Sequence, residues 1–575
     1  FHQARSMWDA RTGPQMWQLS EKEDPYSYYR GKAESFANMT NGERTGRFFW
    51  IGTPLGAFVG TMVYYYLEDQ KKWKAQEVAR LEEGDEQTIT NWSGTHEVTT
   101  KRFYQPTSMF ELEEYVAKAH RNKTRLRVMG AGLSPNGIGL DEDGMISLAL
   151  MDSVLSVDPK KRQVTVQAGA RVSQVLEALK PYGLTLQNLA SINEQQIGGF
   201  MSVSAHGSGV TLPPVDEQVV SYKLVTPALG TLTLSKDDPE DSEHRFEMAR
   251  VGLGALGVVA EVTLRCVPAH QLHECTWVST MADVEKQHAE LVTNNRHIRY
   301  MWIPYTESVV VVTSNPVKPW YSPGSWLSSS APAHNKIPEE ERLRPMRTLL
   351  QTHGVTAEMS ASLPQLRDEL LKIDPLNVEH IKHVNAAEAE CWKMMQGERI
   401  EWSDKVLGFE CGGQQWVSEI CFAAGSAGTP NGRDLQYARE LLQLIQDHQI
   451  PAPSPLEQRW TSASSSPMSP AHSKSHDDVF SWLGVIMYLP PDDPQQRHDI
   501  SEAFSSYKEL CRTHLWPKFS CKEHWAKIEV PADRDDKQAV RQRLQESYPV
   551  PDFMRERSTL DPNNILANKL VNALF

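Results

Sequence analysis

A carboxylate and a guanidinium stand two residues apart in the stretch LEQRW, as Glu457 and Arg459. On a β-strand, side chains at positions i and i+2 point to the same face. A carboxylate can hold sugar hydroxyls, and an adjacent guanidinium can polarise an oxygen atom on which negative charge develops. The pattern alone favours a surface ion pair, and a site that acts on a hydroxylated substrate is the alternative.

Two stretches are rich in glycine and in small hydrogen-bond donors: VMGAGLSPNGIGL at 128–140 and QIGGFMSVSAHGSG at 196–209. Glycine allows backbone N–H groups to converge on an anion. Either stretch alone could be a tight turn, but two of them in one domain favour a dinucleotide with a pyrophosphate. The candidate binding residues in the first stretch are Gly130, Gly132, Ser134, Asn136 and Gly137.

A third glycine stretch, Gly252–Gly257, reads G-x-G-x-x-G. A Rossmann loop follows a strand and opens a helix. Here a helical pattern at 244–250 comes first and a strand pattern at 258–266 follows. The order is reversed, so the motif does not predict an NAD site.

The composition limits the class of partner. Lys+Arg number 59 and Asp+Glu 73, which gives a formal net charge of −14. Nucleic-acid binding needs a basic footprint, so it is not expected. A basic protein partner would suit this surface, which could also serve solubility alone. The seven scattered cysteines lack metal-finger spacing, so neither a disulfide framework nor a metal site is expected.

The hydrophobic pattern from about Val98 onwards mixes strand and helix periods, which indicates an α+β fold. Ser108 and Glu111 predict a capping box at the start of a helix. Loops rich in serine and proline are expected at 319–341 and 461–475. The predicted strands are 125–129, 145–150, 163–168, 219–225, 231–234, 258–266 and 482–489, and further helices are predicted at 170–179 and 435–445.

The stretch from Phe48 to Leu67 contains twenty residues and no charge, which matches the thickness of a bilayer core. It predicts one transmembrane helix, preceded by a polar segment at 1–47 and followed by a charged stalk at 68–97. A buried helix of a soluble domain is the alternative. Gly52, Gly56 and Gly60 share one helix face and would let a partner helix approach closely, with glycine merely tolerated in lipid as the alternative. The excess of Lys and Arg after the span weakly favours retention of the C-terminal side on the inner face.

The order of the three glycine motifs, the last of which continues as GLGALGVV, resembles the flavin-binding domain of the vanillyl-alcohol-oxidase superfamily. The stretches LQNLASINEQQI, IPYTESVVVV, CGGQQWVSE, LEQRW and HWAKIE are similar to the L-galactono-1,4-lactone dehydrogenase family of plants and green algae. The resemblance covers about 98–575. It implies a two-part FAD-binding domain at 98–270 and an α+β cap or substrate domain at 271–575, whose C-terminus returns to the flavin.

The same resemblance implies FAD-dependent oxidation of L-galactono-1,4-lactone to L-ascorbate, with cytochrome c as electron acceptor. It implies the mitochondrial inner membrane, with the catalytic domain in the intermembrane space, against the weak charge signal. Association with membrane subunits of respiratory complex I, or with its assembly, is also implied. The alternatives are an aldonolactone or alditol oxidase that uses oxygen, and a structural or assembly subunit with a vestigial site. The intact E-x-R and HWAK motifs argue against the last.

The resemblance also assigns catalytic roles. Glu457 and Arg459 would lie over the flavin. Lys527 would lie near the pyrimidine edge and favour the anionic reduced form, with His524 in support. Ala190 would lie beside the ring, where a small side chain limits the approach of oxygen.

Other residues are implied to bind the cofactor. Leu133 stands where many relatives carry a histidine that tethers FAD, so FAD is expected to be bound noncovalently. Cys411 is expected to be a buried, inert thiol. The remaining cofactor-binding residues that the resemblance implies are Ser191, Gly198, Gly199, Ser204, His206, Gly207, Val258 and Val259.

Overall fold

The computed structural model of the protein describes residues 85–238, 244–317, 337–409, 412–531 and 534–575. The predicted polar segment, membrane span and most of the stalk lie outside these residues, as does Cys411. Within the described ranges, no helix combines the length and the apolar character needed to cross a bilayer.

The described residues contain four sheets, two of which are small. An antiparallel hairpin pairs β1 (Gln87–Thr90) with β2 (Glu97–Thr100). A short parallel sheet has the order β3-β5-β4, formed by Phe103–Tyr104, Met145–Ser147 and Arg127–Met129.

The third sheet has the strand order β10-β9-β11-β7-β6, and β8 pairs with β11. Four of its strands were predicted, at 163–168, 219–225, 231–234 and 258–266. They are confirmed, with ends that differ by up to two residues. The strands are β6 Val154–Asp158, β7 Gln163–Gln167, β8 Leu184–Leu186, β9 Val219–Thr226, β10 Gly230–Ser235 and β11 Val258–Pro268.

The fourth sheet has nine strands in the order β15-β12-β14-β13-β18-β19-β16-β17, and β20 pairs with β16. Its strand β19 begins four residues before the predicted strand at 482–489. The strands are β12 Gln271–Thr280, β13 His297–Trp302, β14 Ser308–Pro316, β15 Gly397–Trp402, β16 Gln415–Ser426, β17 Thr429–Pro430, β18 Leu456–Ser462, β19 Asp478–Tyr488 and β20 Lys522–Glu523.

Helices cover these sheets and connect their strands. The helices are α1 Met109–Asn122, α2 Val172–Leu179, α3 Ile197–Ser202, α4 Arg245–Arg250, α5 Met281–Asn294, α6 Glu339–Arg342, α7 Arg344–Thr352, α8 Leu363–Ile373, α9 Val378–Met395, α10 Ser403–Leu407, α11 Arg433–Asp447, α12 Pro494–His514, α13 Trp516–Phe519, α14 Arg534–Ser547, α15 Val550–Leu560 and α16 Lys569–Leu574.

The N-terminus of α1 shows why the predicted helix forms. The Ser108 hydroxyl accepts from the Glu111 N–H at 3.3 Å. The Glu111 carboxylate reaches one residue further back than a capping box requires and accepts from the Thr107 N–H at 2.8 Å. Two N–H groups at the helix start are thereby satisfied.

The nine-stranded sheet has two different faces because side chains alternate along each strand. One face packs against α5, α11 and α12 in an extensive apolar core, through residues such as Leu441 and Phe504. The opposite face carries the charged residues described below. Helices α7–α9 form a second core with Tyr488 at the end of β19.

The C-terminal segment contacts the first glycine stretch. Leu126 N–H donates to the Ile565 carbonyl at 2.8 Å. The Asn568 amide donates to the carbonyls of Gly137 and Leu140, both at 2.8 Å. The buried Arg127 guanidinium donates to four carbonyls, among them those of Ile138 and Leu566.

Candidate active site

A cavity of about 490 Å³ lies between the glycine stretches and the charged face of the nine-stranded sheet. The glycine stretches contribute walls at 128–140, 190–206 and 253–259, so the reversed G-x-G-x-x-G motif also borders the cavity. The loop at 524–527 and the helices α8 and α9 supply further walls.

The strand ladder determines which side chains reach this cavity. Glu457 on β18 lies opposite Met301 on β13 and opposite Gly484 on β19. Gly484 in turn lies opposite Glu419 on β16. Paired residues of an antiparallel ladder share one face, and all four line the cavity. Arg459, two residues after Glu457, lines it as well, so the E-x-R pair shares a face as predicted.

Glu419 is the centre of a buried charge cluster. Its Oε1 accepts from Arg459 Nη2 at 3.0 Å and lies 3.4 Å from His206 Nε2. Its Oε2 pairs with Lys527 Nζ. Only 3% of Glu419 is exposed. Its negative charge is balanced by ion pairs with Arg459 and Lys527, as a buried charge requires.

The protonation states follow from this arrangement. Burial favours protonation of Glu419, but the positive charges of Lys527 and Arg459 outweigh it and hold the carboxyl pKa well below its usual 4.5. Burial lowers the pKa of His206 below 6.5 and lowers that of His524 well below it, where Lys527 adds to the effect. Both imidazoles are therefore neutral near pH 7, and Glu419 is charged.

The same groups include a donor set of the kind that binds metals. Ligand atoms of His206, Glu419 and His524 lie within 4.8 Å of one another. Each carboxylate oxygen already meets a cation, Arg459 or Lys527. A divalent ion would have to displace these charges, so the cluster favours an anionic ligand over a metal.

Glu457 lies at the edge of this cluster. Its Oε2 is 3.5 Å from Arg459 Nε and its Oε1 is 3.8 Å from Arg299 Nη1. Among the described residues, Oε1 has no hydrogen-bond partner although it is buried. Arg299 also lies over the Phe409 ring, with its guanidinium 4.0 Å from the ring centroid. Glu457 thus has one carboxylate oxygen whose hydrogen-bonding capacity is unused within the described residues.

The first glycine stretch is fixed by its neighbours. Gly132 has a φ of +67°, which favours glycine. The Asn136 amide donates to the carbonyls of Trp525 and Ile528, both at 2.9 Å. Its side chain therefore binds the C-terminal loop to the glycine stretch, and its donors are used within the protein.

Most residues predicted for the site border the cavity, and four do not. Ser204 donates to the Asp216 carboxylate at 2.8 Å, in a separate buried network. A Cβ at Gly207 would clash with Asn188 Oδ1, so this glycine serves packing. Gly137 and Val258 are also absent from the lining. The predicted residues that border the cavity are Gly130, Gly132, Leu133, Ser134, Asn136, Ala190, Ser191, Gly198, Gly199, His206, Val259, Glu457, Arg459, His524 and Lys527.

Three of the cavity residues that were not predicted as site residues belong to the charged face of the nine-stranded sheet. Glu419 could have been suspected, because a lone carboxylate interrupts the otherwise apolar strand QWVSEICFAA. Gly484 interrupts the apolar strand FSWLGVIMY, and glycine within a strand often marks the close approach of a ligand. No sequence pattern marks Arg299 as a site residue, since its ion-pair partner Glu457 is remote in sequence.

The cavity suits a flavin dinucleotide. A Cβ at Gly199 would meet no atom within 4 Å, so the backbone there borders open space. Gln195 lines the cavity and its Oε1 has no hydrogen-bond partner in the described part of the chain, which leaves an acceptor for a ring N–H. Lys527 and Arg459 supply positive charge for an anionic ring or phosphate.

Comparisons with known proteins agree with this geometry. A family model described as FAD binding domain matches 100–235, and one described as D-arabinono-1,4-lactone oxidase matches 262–574. The mitochondrial L-galactono-1,4-lactone dehydrogenase of Arabidopsis thaliana is 51% identical over 538 residues, covering 91% of this chain and 87% of that protein. A rice enzyme of the same name is 51% identical, covering 85% and 84%.

The fold has relatives among solved structures. A solvent-stable cholesterol oxidase is 15% identical, with a TM-score of 0.62, covering 85% of this chain and 97% of that one. At this identity the likeness concerns the fold alone. The vanillyl-alcohol-oxidase type of flavin-binding domain follows from the family model that matches 100–235. From the sequence match, the chain belongs to the L-galactono-1,4-lactone dehydrogenase family of FAD-dependent oxidoreductases.

Proposed function

We propose that this chain oxidises L-galactono-1,4-lactone to L-ascorbate and passes the two electrons to cytochrome c. Family membership supports the substrate class. The observation that carries the proposal is the charge cluster of Arg459, Lys527 and Glu419, with Glu457 beside it, on the wall of a flavin-sized cavity.

The charges of the cluster suit the reaction. The lactone loses two electrons and two protons, so negative charge develops on substrate oxygen and on the cofactor. Arg299, Arg459 and Lys527 supply three positive charges, against two negative charges on Glu419 and Glu457. The excess of one positive charge stabilises the developing anion.

Each residue then has a distinct task. Bound FAD supplies the two-electron acceptor for the carbon–hydrogen bond. Glu457 Oε1 accepts the hydrogen bond of a substrate hydroxyl and then its proton, because it makes no hydrogen bond within the described residues, whereas both oxygens of Glu419 are hydrogen-bonded by Arg459 and Lys527. Arg459 polarises the oxygen. Glu419 holds Arg459 and Lys527 in place and is a positioning residue.

Two features of the chain bear on the electron acceptor. The acidic chain, with a net charge of −14, suits a basic acceptor protein such as cytochrome c. Ala190, which is 9% exposed on the cavity wall, suits the exclusion of oxygen. An oxidase that uses oxygen is the competing function.

One rapid-mixing experiment separates these functions. The holoenzyme is mixed anaerobically with L-galactono-1,4-lactone or with other aldonolactones, and flavin bleaching is followed. The reduced enzyme is then mixed with ferricytochrome c or with air-saturated buffer. Bleaching by the galactonolactone and fast reoxidation by cytochrome c support the proposal. Fast reoxidation by air with peroxide formation indicates an oxidase, and no bleaching indicates a vestigial site.

The proposal includes the location of the enzyme. Relatives carry the word mitochondrial in their names. We infer a mitochondrial protein anchored in the inner membrane through 48–67, with its catalytic part in the intermembrane space and complex I subunits as membrane partners. Carbonate extraction of mitochondria, compared between the full chain and one lacking 48–67, tests the anchor. Native gels probed for complex I test the partner.

A further inference from the structure

The turn between β1 and β2 borders the cofactor cavity, although it precedes the matched FAD-binding domain, which begins at residue 100. Asn91 and Trp92 of this turn are part of the cavity lining. Residues 91–96 are called the clamp turn here.

Asn91 joins the clamp turn to the first glycine stretch. Its buried amide Nδ2 donates to the carbonyls of Ser134 at 3.0 Å and Pro135 at 3.1 Å. Its Oδ1 accepts from the N–H groups of Thr95 at 3.0 Å and His96 at 3.1 Å. One side chain therefore shapes the turn and fixes the glycine stretch.

The backbone of Trp92 makes a further contact, because its N–H donates to the Gly132 carbonyl at 2.8 Å. Three carbonyls of the glycine stretch, those of Gly132, Ser134 and Pro135, are thus held by the clamp turn. A peptide whose carbonyl is fixed on one side presents the adjoining N–H groups in a defined direction.

The clamp turn also contacts the other walls of the site. His96 Nε2 lies 3.6 Å from Glu529 Oε1, directly after the HWAKI loop. The Gly94 carbonyl accepts from Arg497 on α12. At Gly94, with a φ of +64°, an added Cβ would clash with Gln414, so the turn is closely packed against the substrate domain.

We propose that the clamp turn is a cofactor-binding element. Asn91 and the Trp92 N–H hold the glycine stretch in its FAD-binding shape, and the Trp92 side chain closes the cavity over the bound dinucleotide.

Dissociation of FAD from full-length variants tests this inference. Apoprotein is titrated with FAD and the quenching of flavin fluorescence gives the Kd. Trp92→Ala and Asn91→Ala should each raise the Kd by about tenfold or more, whereas Trp92→Phe should raise it only by about threefold. The matched control is Trp402→Ala, which removes a half-exposed tryptophan from β15 and should change the Kd by less than about twofold.

The thermal unfolding of each apoprotein separates a binding role from a folding role. If the clamp turn binds FAD, Trp92→Ala leaves the apoprotein Tm near that of wild type and lowers the Tm of the holoenzyme. A Kd within about twofold of wild type for both Trp92→Ala and Asn91→Ala would overturn the inference. So would equal Tm losses in apoprotein and holoenzyme with an unchanged Kd.

Discussion

Arg459 and Glu419 form a buried ion pair of 3.0 Å although strand β19 lies between their strands. The pair crosses β19 near Gly484, which lies opposite Glu419 in the ladder and has no side chain. Arg459 is therefore held by a carboxylate from the strand beyond β19. This geometry makes Glu419 as important to the site as the E-x-R pair itself.

Glu419→Gln should lower the rate of flavin reduction by roughly 100-fold and also destabilise the protein. The substitution keeps the shape but leaves Arg459 and Lys527 without their shared anion, and breaking a buried pair typically costs about 3–5 kcal/mol. Anaerobic stopped-flow with saturating lactone and a thermal scan measure the two effects. A wild-type reduction rate would show that Glu419 does not position the catalytic cations.

Glu457→Ala and Arg459→Ala should each lower the rate of flavin reduction by about 100- to 1000-fold while FAD stays bound. Each removes one group that contacts the substrate in the proposed mechanism. The same anaerobic measurement applies, with Glu546→Ala, an exposed carboxylate on α14, as the matched control. If both variants reduce the flavin at the wild-type rate, the Glu457–Arg459 pair has only a structural role.

The sequence predicts the parts of the site that depend on local periodicity. The common face of Glu457 and Arg459 follows from the strand period, and the glycine stretches follow from composition. The helix that begins after Ser108 follows from its N-terminal cap, although the Glu111 carboxylate accepts from the Thr107 N–H and not from that of Ser108. These features involve residues close together in the chain.

The sequence does not predict contacts between distant segments. Glu419 meets Lys527 across 108 positions, and its charge alone does not reveal which cations it meets. Ser204 looks like a cofactor ligand, but Asp216 takes its hydroxyl. From the sequence, the clamp turn is predicted to be part of the charged stalk at 68–97. Its role is not visible there, because the carbonyls to which Asn91 donates belong to a distant segment of the chain.

FAD should be released when the protein is denatured by acid or heat. Leu133 lines the cavity where a tethering histidine would stand, and a leucine has no nucleophile with which to form a covalent bond. The measurement is the division of yellow colour between the supernatant and the precipitated protein. Colour retained in the pellet after washing would contradict noncovalent binding.

Ala190→Gly should increase the rate at which oxygen reoxidises the reduced enzyme, with little change in lactone-driven reduction. Ala190 is buried on the cavity wall, and removal of one methyl group opens a gap in a closely packed interior. Stopped-flow reoxidation in air-saturated buffer, together with peroxide yield, measures the effect. Equal reoxidation rates for variant and wild type would place the barrier to oxygen elsewhere.

The last prediction concerns acid stability and His297 on β13. Its Nδ1 lies 3.0 Å from the Ser208 carbonyl, in the second glycine stretch. Burial lowers the pKa of His297 from 6.5 to about 3, and the nearby Arg296 and His270 add to the effect. The folded protein keeps this imidazole neutral, while the unfolded chain binds a proton below about pH 6.5.

Because the unfolded state binds more protons in that window, the stabilisation is fully present above about pH 6.5 and is lost as the pH falls towards 3. Between pH 6.5 and 5 the loss from this one group is about 2 kcal/mol. His297→Gln replaces the imidazole with an amide that does not titrate. The Tm of wild type minus the Tm of this variant should therefore be larger at pH 7.5 than at pH 5. A difference that stays constant across this range would mean that His297 is not the titrating group.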